Sequence, residues 1–303
     1  MKSAFLPDRG VLKVSGDDAR GFLNNLVTND IDHVSPGNAR FCALLTPQGK
    51  IVADFLITEA PANHGGGFML DCPLPLADQL ATKLNIYKLR AKITIENLSG
   101  SLGVLAVWDS APPATLDFAF ADPRNESIGW RVLLPQDFAE RASKMIGATW
   151  VAPAAYEAHR IACGVPRGGI DFAYGDAFPH ETNMDRLHGV NFEKGCYVGQ
   201  EVVSRMQHRG TARTRVVQVV FDVQVLVDVT LDQTSPAAGT SIVAGDKAIG
   251  TMGSSAEGRG LALIRLDRAA DAFEAGEAFL VGGTPLQIAV PADIHTAIKK
   301  TPA

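Results

Sequence analysis

Apolar and polar positions along this chain fall into two textures. Up to about residue 212, apolar runs of strand length alternate with stretches whose apolar residues recur three and four apart, the spacing of one helix face. Val11-Leu12-Lys13-Val14 reads as a strand. Ala19, Phe22, Leu23 and Leu26 then predict a helix over about 17–27, with N-cap candidates in Ser15-Gly16-Asp17-Asp18. Residues 41–58 predict a hairpin, because two β-rich runs flank Thr46-Pro47-Gln48-Gly49, with proline and glycine where a turn favours them. A helix is expected over 75–87, with Leu76, Leu80, Leu84 and Tyr87 on one face. Strands are expected near 91–97, 102–108 and 130–134, and further helices over 137–146 and 153–163. The proline-, alanine- and acid-rich stretch 109–126 reads as loop. This alternation predicts an α+β arrangement, with helices layered over antiparallel strands.

Beyond Arg213 the texture changes. Residues 214–231 are valine-rich with polar interruptions, and glycines then recur at Gly239, Gly245, Gly250, Gly253, Gly258 and Gly260. Short strands with regular turns predict an antiparallel barrel or sandwich. A boundary near residue 212 divides the chain into 1–212 and 213–303, and the tail from His295 is expected to fray.

The composition narrows the function. A chain of 303 residues has material for two or three domains, and its net charge of −5 argues against broad nucleic-acid binding. Arg205, Arg209, Arg213 and Arg215 leave only a local basic cluster, so no direct nucleic-acid partner is expected. The four cysteines, Cys42, Cys72, Cys163 and Cys196, form no Cys-x-x-Cys pair and no metal-site spacing. So few thiols in so long a chain suit a reducing compartment. Cys163 is expected in the core. The first residues show neither an apolar signal core nor an arginine-rich presequence, and no apolar run is long enough to span a bilayer. A cytoplasmic location without a membrane partner is the expectation. His64-Gly65-Gly66-Gly67 and residues 253–259 both lack the lysine and hydroxyl of a phosphate loop.

The stretch richest in chemistry is Asn191-Phe192-Glu193-Lys194-Gly195-Cys196-Tyr197-Val198-Gly199-Gln200-Glu201. Cys196 stands between two glycines and beside Lys194, with Arg205 shortly after. Cationic neighbours stabilise a thiolate, so Lys194 and Arg205 would activate Cys196. A glycine turn leading into an amphipathic helix, with Cys196 as a small buried hydrophobe, is the alternative. Asp54 is the one acid in the apolar run 50–57. It lies at a strand end, in solvent, or is held for a purpose. Glu181, in Phe178-Pro179-His180-Glu181, is either a ligand-binding carboxylate or a helix N-terminal one.

Lys-Gly-Cys-Tyr-Val-Gly-Gln-Glu resembles the signature of the YgfZ family, folate-binding proteins of iron–sulfur cluster maintenance that are related to the glycine-cleavage T-protein. The opening 12–30, the Thr-Pro-Gln-Gly-Lys turn and the segment 156–171 extend the resemblance over most of the chain. It implies a T-protein-like α+β fold: two intertwined ferredoxin-like subdomains and a C-terminal antiparallel β-barrel. It also implies tetrahydrofolate or a one-carbon derivative as cofactor. Asp54, Glu181, Tyr197, Gln200, Glu201 and Arg205 would be its contacts, with Glu181 on the pterin. Cys196 and Lys194 would be the reactive pair, Cys196 serving as a transient cluster ligand or nucleophile. Partners would be iron–sulfur client enzymes, including tRNA-modifying methylthiotransferases, and assembly factors. Aminomethyl transfer of the glycine-cleavage type is the alternative. T-proteins carry paired aspartates where this chain has Ala53-Asp54, which weighs against that reading.

Overall fold

The computed structural model describes residues 1–113, 116–210, 212–221 and 235–288. The chain divides into two compact units. One comprises Met1–Tyr156, Tyr174–Pro179 and Met184–Arg205. The other comprises Glu157–Ala173, His180–Asn183 and Met206–Ala303.

The first unit opens with β1 (Lys2–Phe5), β2 (Arg9–Ser15), α1 (Ala19–Asn24), β3 (Arg40–Leu45), β4 (Ile51–Glu59) and β5 (Phe68–Pro73). It continues with α2 (Ala77–Lys88), β6 (Thr94–Asn97), β7 (Leu102–Trp108), β8 (Ala119–Ala121), β9 (Trp130–Pro135), α3 (Ala139–Met145) and β10 (Thr149–Trp150). Next come α4 (Pro153–Ala162) and α5 (Gln200–Arg209). Two five-stranded sheets result, in the orders β3-β4-β5-β2-β6 and β10-β1-β7-β9-β8. The expected hairpin is β3–β4, with Cys42 opposite Phe55 and Ala43 opposite Asp54. Leu80 and Leu84, one turn apart on α2, join Leu23 of α1 and Leu12, Phe55 and Leu70 of the first sheet in one core. The second sheet packs Leu105, Val107, Val132 and Leu134 against Ala139 and Ala142 of α3.

Two elements differ from the sequence pattern. The first helix is only Ala19–Asn24: Asp18 stands at its N-cap but gives its carboxylate to the Lys92 N–H at 2.7 Å, and past Asn24 the ladder breaks where the Leu26 and Val27 N–H groups share the Leu23 carbonyl. The stretch read as loop over 109–126 contains β8, which pairs Ala119 with Val132 and Ala121 with Trp130. Three residues are too few to show alternation.

The two sheets of this unit are joined by buried charge. Arg9 on β2 donates its Nε to Asp71 on β5 at 2.5 Å. Arg131 on β9 reaches the other Asp71 oxygen at 3.4 Å, Asp122 at 3.3 Å and the Tyr156 hydroxyl at 2.6 Å. Arg124 donates to both Asp122 oxygens, at 2.9 and 2.6 Å. Burial alone would raise the Asp122 pKa, but Arg124 and Arg131 hold it down to about 2.

The second unit holds β11 (Thr214–Phe221), β12 (Ser241–Ala244), β13 (Lys247–Ala256), β14 (Arg259–Arg265), α6 (Leu266–Glu274), β15 (Phe279–Val281) and β16 (Thr284–Ile288). The strands close into an antiparallel barrel, β11-β14-β13-β12-β15-β16. Val219, Phe221, Ile242, Met252, Ile264 and Leu286 fill it. Closure leaves this sheet without an unpaired edge. The valine-rich stretch 214–231 is described to Phe221; its remainder and the tail from His295 lie outside the described residues.

In this unit Asp171 is a buried anchor. One carboxylate oxygen accepts the Ser254 N–H and hydroxyl at 2.7 and 2.6 Å. The other accepts from Arg160 at 3.0 Å and the Arg167 N–H at 2.7 Å. A Cβ on Gly253 would stand 2.4 Å from that carboxylate, so only glycine fits there. The stretch set aside as an incomplete phosphate loop is thus the barrel side of a structural clamp.

Candidate functional site: an exposed cysteine on a pinned loop

The cysteine loop is built from its polar ends inward. The Asn191 side-chain oxygen accepts the N–H groups of Glu193 and Lys194 at 2.8 and 3.0 Å, and the Asn191 main-chain N–H donates to the Thr28 carbonyl at 2.9 Å. The Thr28 hydroxyl donates to the Gly189 carbonyl at 2.6 Å and accepts the Ala43 N–H at 2.9 Å. Asn29 donates to the carbonyls of Phe41 and His188, at 2.9 and 2.6 Å. The Lys194 ammonium reaches the carbonyls of Asn24, Val27 and Asn29 at 2.6, 2.8 and 2.8 Å. Those oxygens stand at and just past the end of α1, where a cation is favoured. Burial lowers the Lys194 pKa from its ordinary value. At the far end of the loop, Gly199 has a φ of +83° and a Cβ there would meet the Thr46 carbonyl at 2.6 Å. The glycine lets the loop seat on the β3–β4 turn.

Between these anchors the thiol of Cys196 is exposed. A Cβ on the preceding Gly195 would have no atom within 4 Å, so the loop is open at that residue too. The other thiols are placed differently. Cys42 and Cys72 are fully buried, and desolvation pushes both up to about 12. Cys163, expected in the core, is half-buried, with His159 Nε2 at 3.8 Å. It lies on the turn that ends α4, where side chains are only partly covered.

Known proteins bear on this geometry. A family described as GCVT N-terminal domain matches residues 8–162, and one described as CAF17, C-terminal beta-barrel domain matches residues 213–296. The human iron-sulfur cluster assembly factor IBA57, mitochondrial, is 32% identical over 281 residues, 86% of this chain and 76% of that one. The chain belongs to the IBA57-type family, with a GCVT domain and a CAF17 barrel.

An IBA57 homolog of Mycosarcoma maydis, also named mitochondrial, is 38% identical over 232 residues, 73% of this chain. The chain spans only 57% of that relative's length. The aminomethyltransferase T of the Bartonella henselae glycine cleavage system shares the fold, with a TM-score of 0.70 at 17% identity over 95% of this chain and 84% of that one. The α+β fold with a closing barrel is therefore as the YgfZ resemblance implied. The expected cytoplasmic location is corrected: the IBA57 relatives are named as mitochondrial proteins. The look of the first residues decides nothing about compartment.

Within this IBA57-type chain, Cys196, Lys194, Tyr197, Gln200, Glu201 and Arg205 share the loop and the start of α5. Lys194 differs from the expected thiolate partner, since its ammonium is directed to three carbonyls. Tyr197 is buried, its pKa pushed up to about 12 by desolvation, and its ring lies 5.4 Å from the Lys194 ammonium. Gln200 opens α5, its N–H donating to the Tyr197 carbonyl at 3.2 Å. Glu201 and Arg205 pair with each other at 2.7 Å on an exposed helical turn. Asp54 lies elsewhere in the first unit. It is buried on β4 and accepts from the Tyr174 hydroxyl. Glu181 belongs to the second unit, half-buried, its carbonyl accepting the Val216 N–H at 2.8 Å. The loop is seated on Asn24, Thr28, Asn29 and Asn191, whose joint role no local pattern in the sequence marks, because Asn191 lies over 160 residues from the others. Among the described residues no group of three or more His, Cys, Asp and Glu gathers as a metal site.

Proposed function

We propose that this protein is an iron–sulfur cluster assembly factor, as its IBA57 relatives are named, and that Cys196 is the sulfur it offers to a cluster carried by a partner. The observation that carries the reading is the contrast among thiols: one stands in solvent on a loop pinned at both ends, while Cys42 and Cys72 are sealed in hydrocarbon. A cluster takes several thiolates, so a single exposed one acts as a shared ligand and the partner supplies the rest. The cluster is cargo here, and its client enzymes include tRNA-modifying methylthiotransferases. Replacing Cys196 with serine is expected to leave folding intact and abolish support of cluster-dependent enzymes in cells lacking the protein. Cys163→Ser is expected to complement. Full complementation by Cys196→Ser defeats the reading.

Tetrahydrofolate or a one-carbon derivative is the small molecule that the T-protein resemblance implies. Of its expected contacts, Asp54 accepts from Tyr174 and Glu201 pairs with Arg205, and each carboxylate keeps acceptor capacity beyond that bond. Titration with tetrahydrofolate separates the contacts. Binding that is lost in Glu181→Ala supports the pterin contact at Glu181; equal binding by that variant removes it.

A further inference from the structure

Residues 79–95, from the body of α2 into β6, carry Lys83, Lys88, Arg90 and Lys92 and not one acid, in a chain of net charge −5. The buried face of α2 is Ala77, Leu80 and Leu84. Its outer face changes character along its length. The first turns expose Asp78, Gln79 and Thr82, whereas the last turn exposes Ile86 by 67% and Tyr87 by 37%, followed by Leu89 at 88%. Lys83, Ile86 and Tyr87 recur at helical spacing on α2, and Lys88 and, beyond the helix end, Arg90 follow beside Leu89. Leu89 is held outward by a backbone at φ 46°, ψ −106°. A leucine gains nothing locally from this positive-φ conformation, which lies outside the left-handed helical well. Strain and near-complete exposure of an apolar side chain in one residue mark a contact made with something else.

We infer that the end of α2 is a peripheral contact for an anionic lipid surface. The apolar side chains protrude, where a peptide-binding site would be recessed. Leucine, isoleucine and tyrosine ringed by lysine and arginine suit the headgroup boundary, where apolar tips enter and cations meet phosphate. Asp18 lies against the run through its bond to the Lys92 N–H, and Asp78 and Glu96 bound it at its two ends, against the four cations within it. No helix of the described residues is long and apolar enough to cross a membrane, so the contact is made from one side.

The test uses the full chain and vesicles of phosphatidylcholine, with and without phosphatidylglycerol. Cosedimentation is expected only with the anionic vesicles and is expected to weaken as salt rises. Replacing Lys88 and Arg90 together by glutamate should weaken binding at least about tenfold, because each cation at such a surface contributes roughly fivefold. Leu89→Asn should also weaken it while keeping or raising the melting temperature, since asparagine tolerates a positive φ. Absence of binding to anionic vesicles overturns the inference, as does binding that survives both variants. So does a protein partner whose association these variants weaken with no vesicles present. Cys196→Ser leaves the vesicle result unchanged, so this surface stands or falls apart from the cysteine.

Discussion

Arg131 and Lys194 are both cations drawn out of water in the first unit, and they hold opposite kinds of place. Arg131 sits among Asp71, Asp122 and Tyr156, where every charge answers another and nothing faces solvent. The Lys194 ammonium holds three main-chain oxygens, with no carboxylate paired to it among the described residues, and two residues further on a thiol stands exposed. The first arrangement joins two sheets and is closed. The second stiffens a loop and leaves one exposed thiol outside it. What separates structure from chemistry here is where the unsatisfied group is left, rather than how many charged residues gather.

The comparison can be broken most forcefully at Asp71. Removing one partner from a buried ion pair strands the other charges, which costs about 3–5 kcal/mol. Asp71→Ala is expected to lower stability by that order in chemical denaturation, leaving Arg9 and Arg131 without their shared carboxylate. A loss no greater than that of an exposed substitution would show the network to be dispensable.

Lys194→Met should have an intermediate effect. Hydrogen bonds from a charged donor contribute about 1.5–3 kcal/mol each at most, and water replaces part of them at a half-buried site. A loss of about 2 kcal/mol is therefore expected. The sharper readout is hydrogen exchange: amides of residues 191–197 should exchange faster while the sheet amides do not. Lys194→Arg should fail to restore protection, because a planar fork cannot point three protons at converging carbonyls. Unchanged exchange would mean that the loop keeps its shape by Asn191 and Gly199 alone.

pH probes both regions. Asp122 is held down to about 2 from an ordinary 3.8, so its contribution is complete above about pH 4 and is lost as pH falls towards 2. Cys42 and Cys72 are pushed up to about 12 from an ordinary 9.0, so the native state keeps thiol protons that the unfolded chain releases. Their effect has the opposite sign: stability is retained below about pH 9 and falls as pH rises towards 12. Denaturation midpoints across both limits test these directions, and Cys42→Ala should flatten the alkaline limb. The smallest expected effect is at the Glu201–Arg205 pair. Exposed ion pairs one helical turn apart contribute well under 1 kcal/mol, so Glu201→Gln should leave stability within about 0.5 kcal/mol.

The exposed tip of α2 extends the contrast. Like the cysteine loop, it leaves atoms outward that the fold does not need there. Its strained Leu89 and acid-free run of cations have no counterpart in the closed networks.

The sequence by itself determined the elements and the motif. Apolar spacing was enough for β2, the β3–β4 hairpin, α2, α4 and the strand-rich barrel, because period 2 and period 3.6 are local properties of a chain. The octapeptide around Cys196 marked the loop on which the proposed function rests. What only the tertiary structure decided was the role of each charge. Lys194 turned from a thiolate partner into a clasp, Asp171 and Ser254 became a clamp, and Asp122 moved from a presumed loop into a buried network. Each depends on carboxylates and carbonyls distant in sequence, 170 residues apart for Asn24 and Lys194. Electrostatic partnership acts through space over a few ångströms, and only the folded chain fixes which groups come that close.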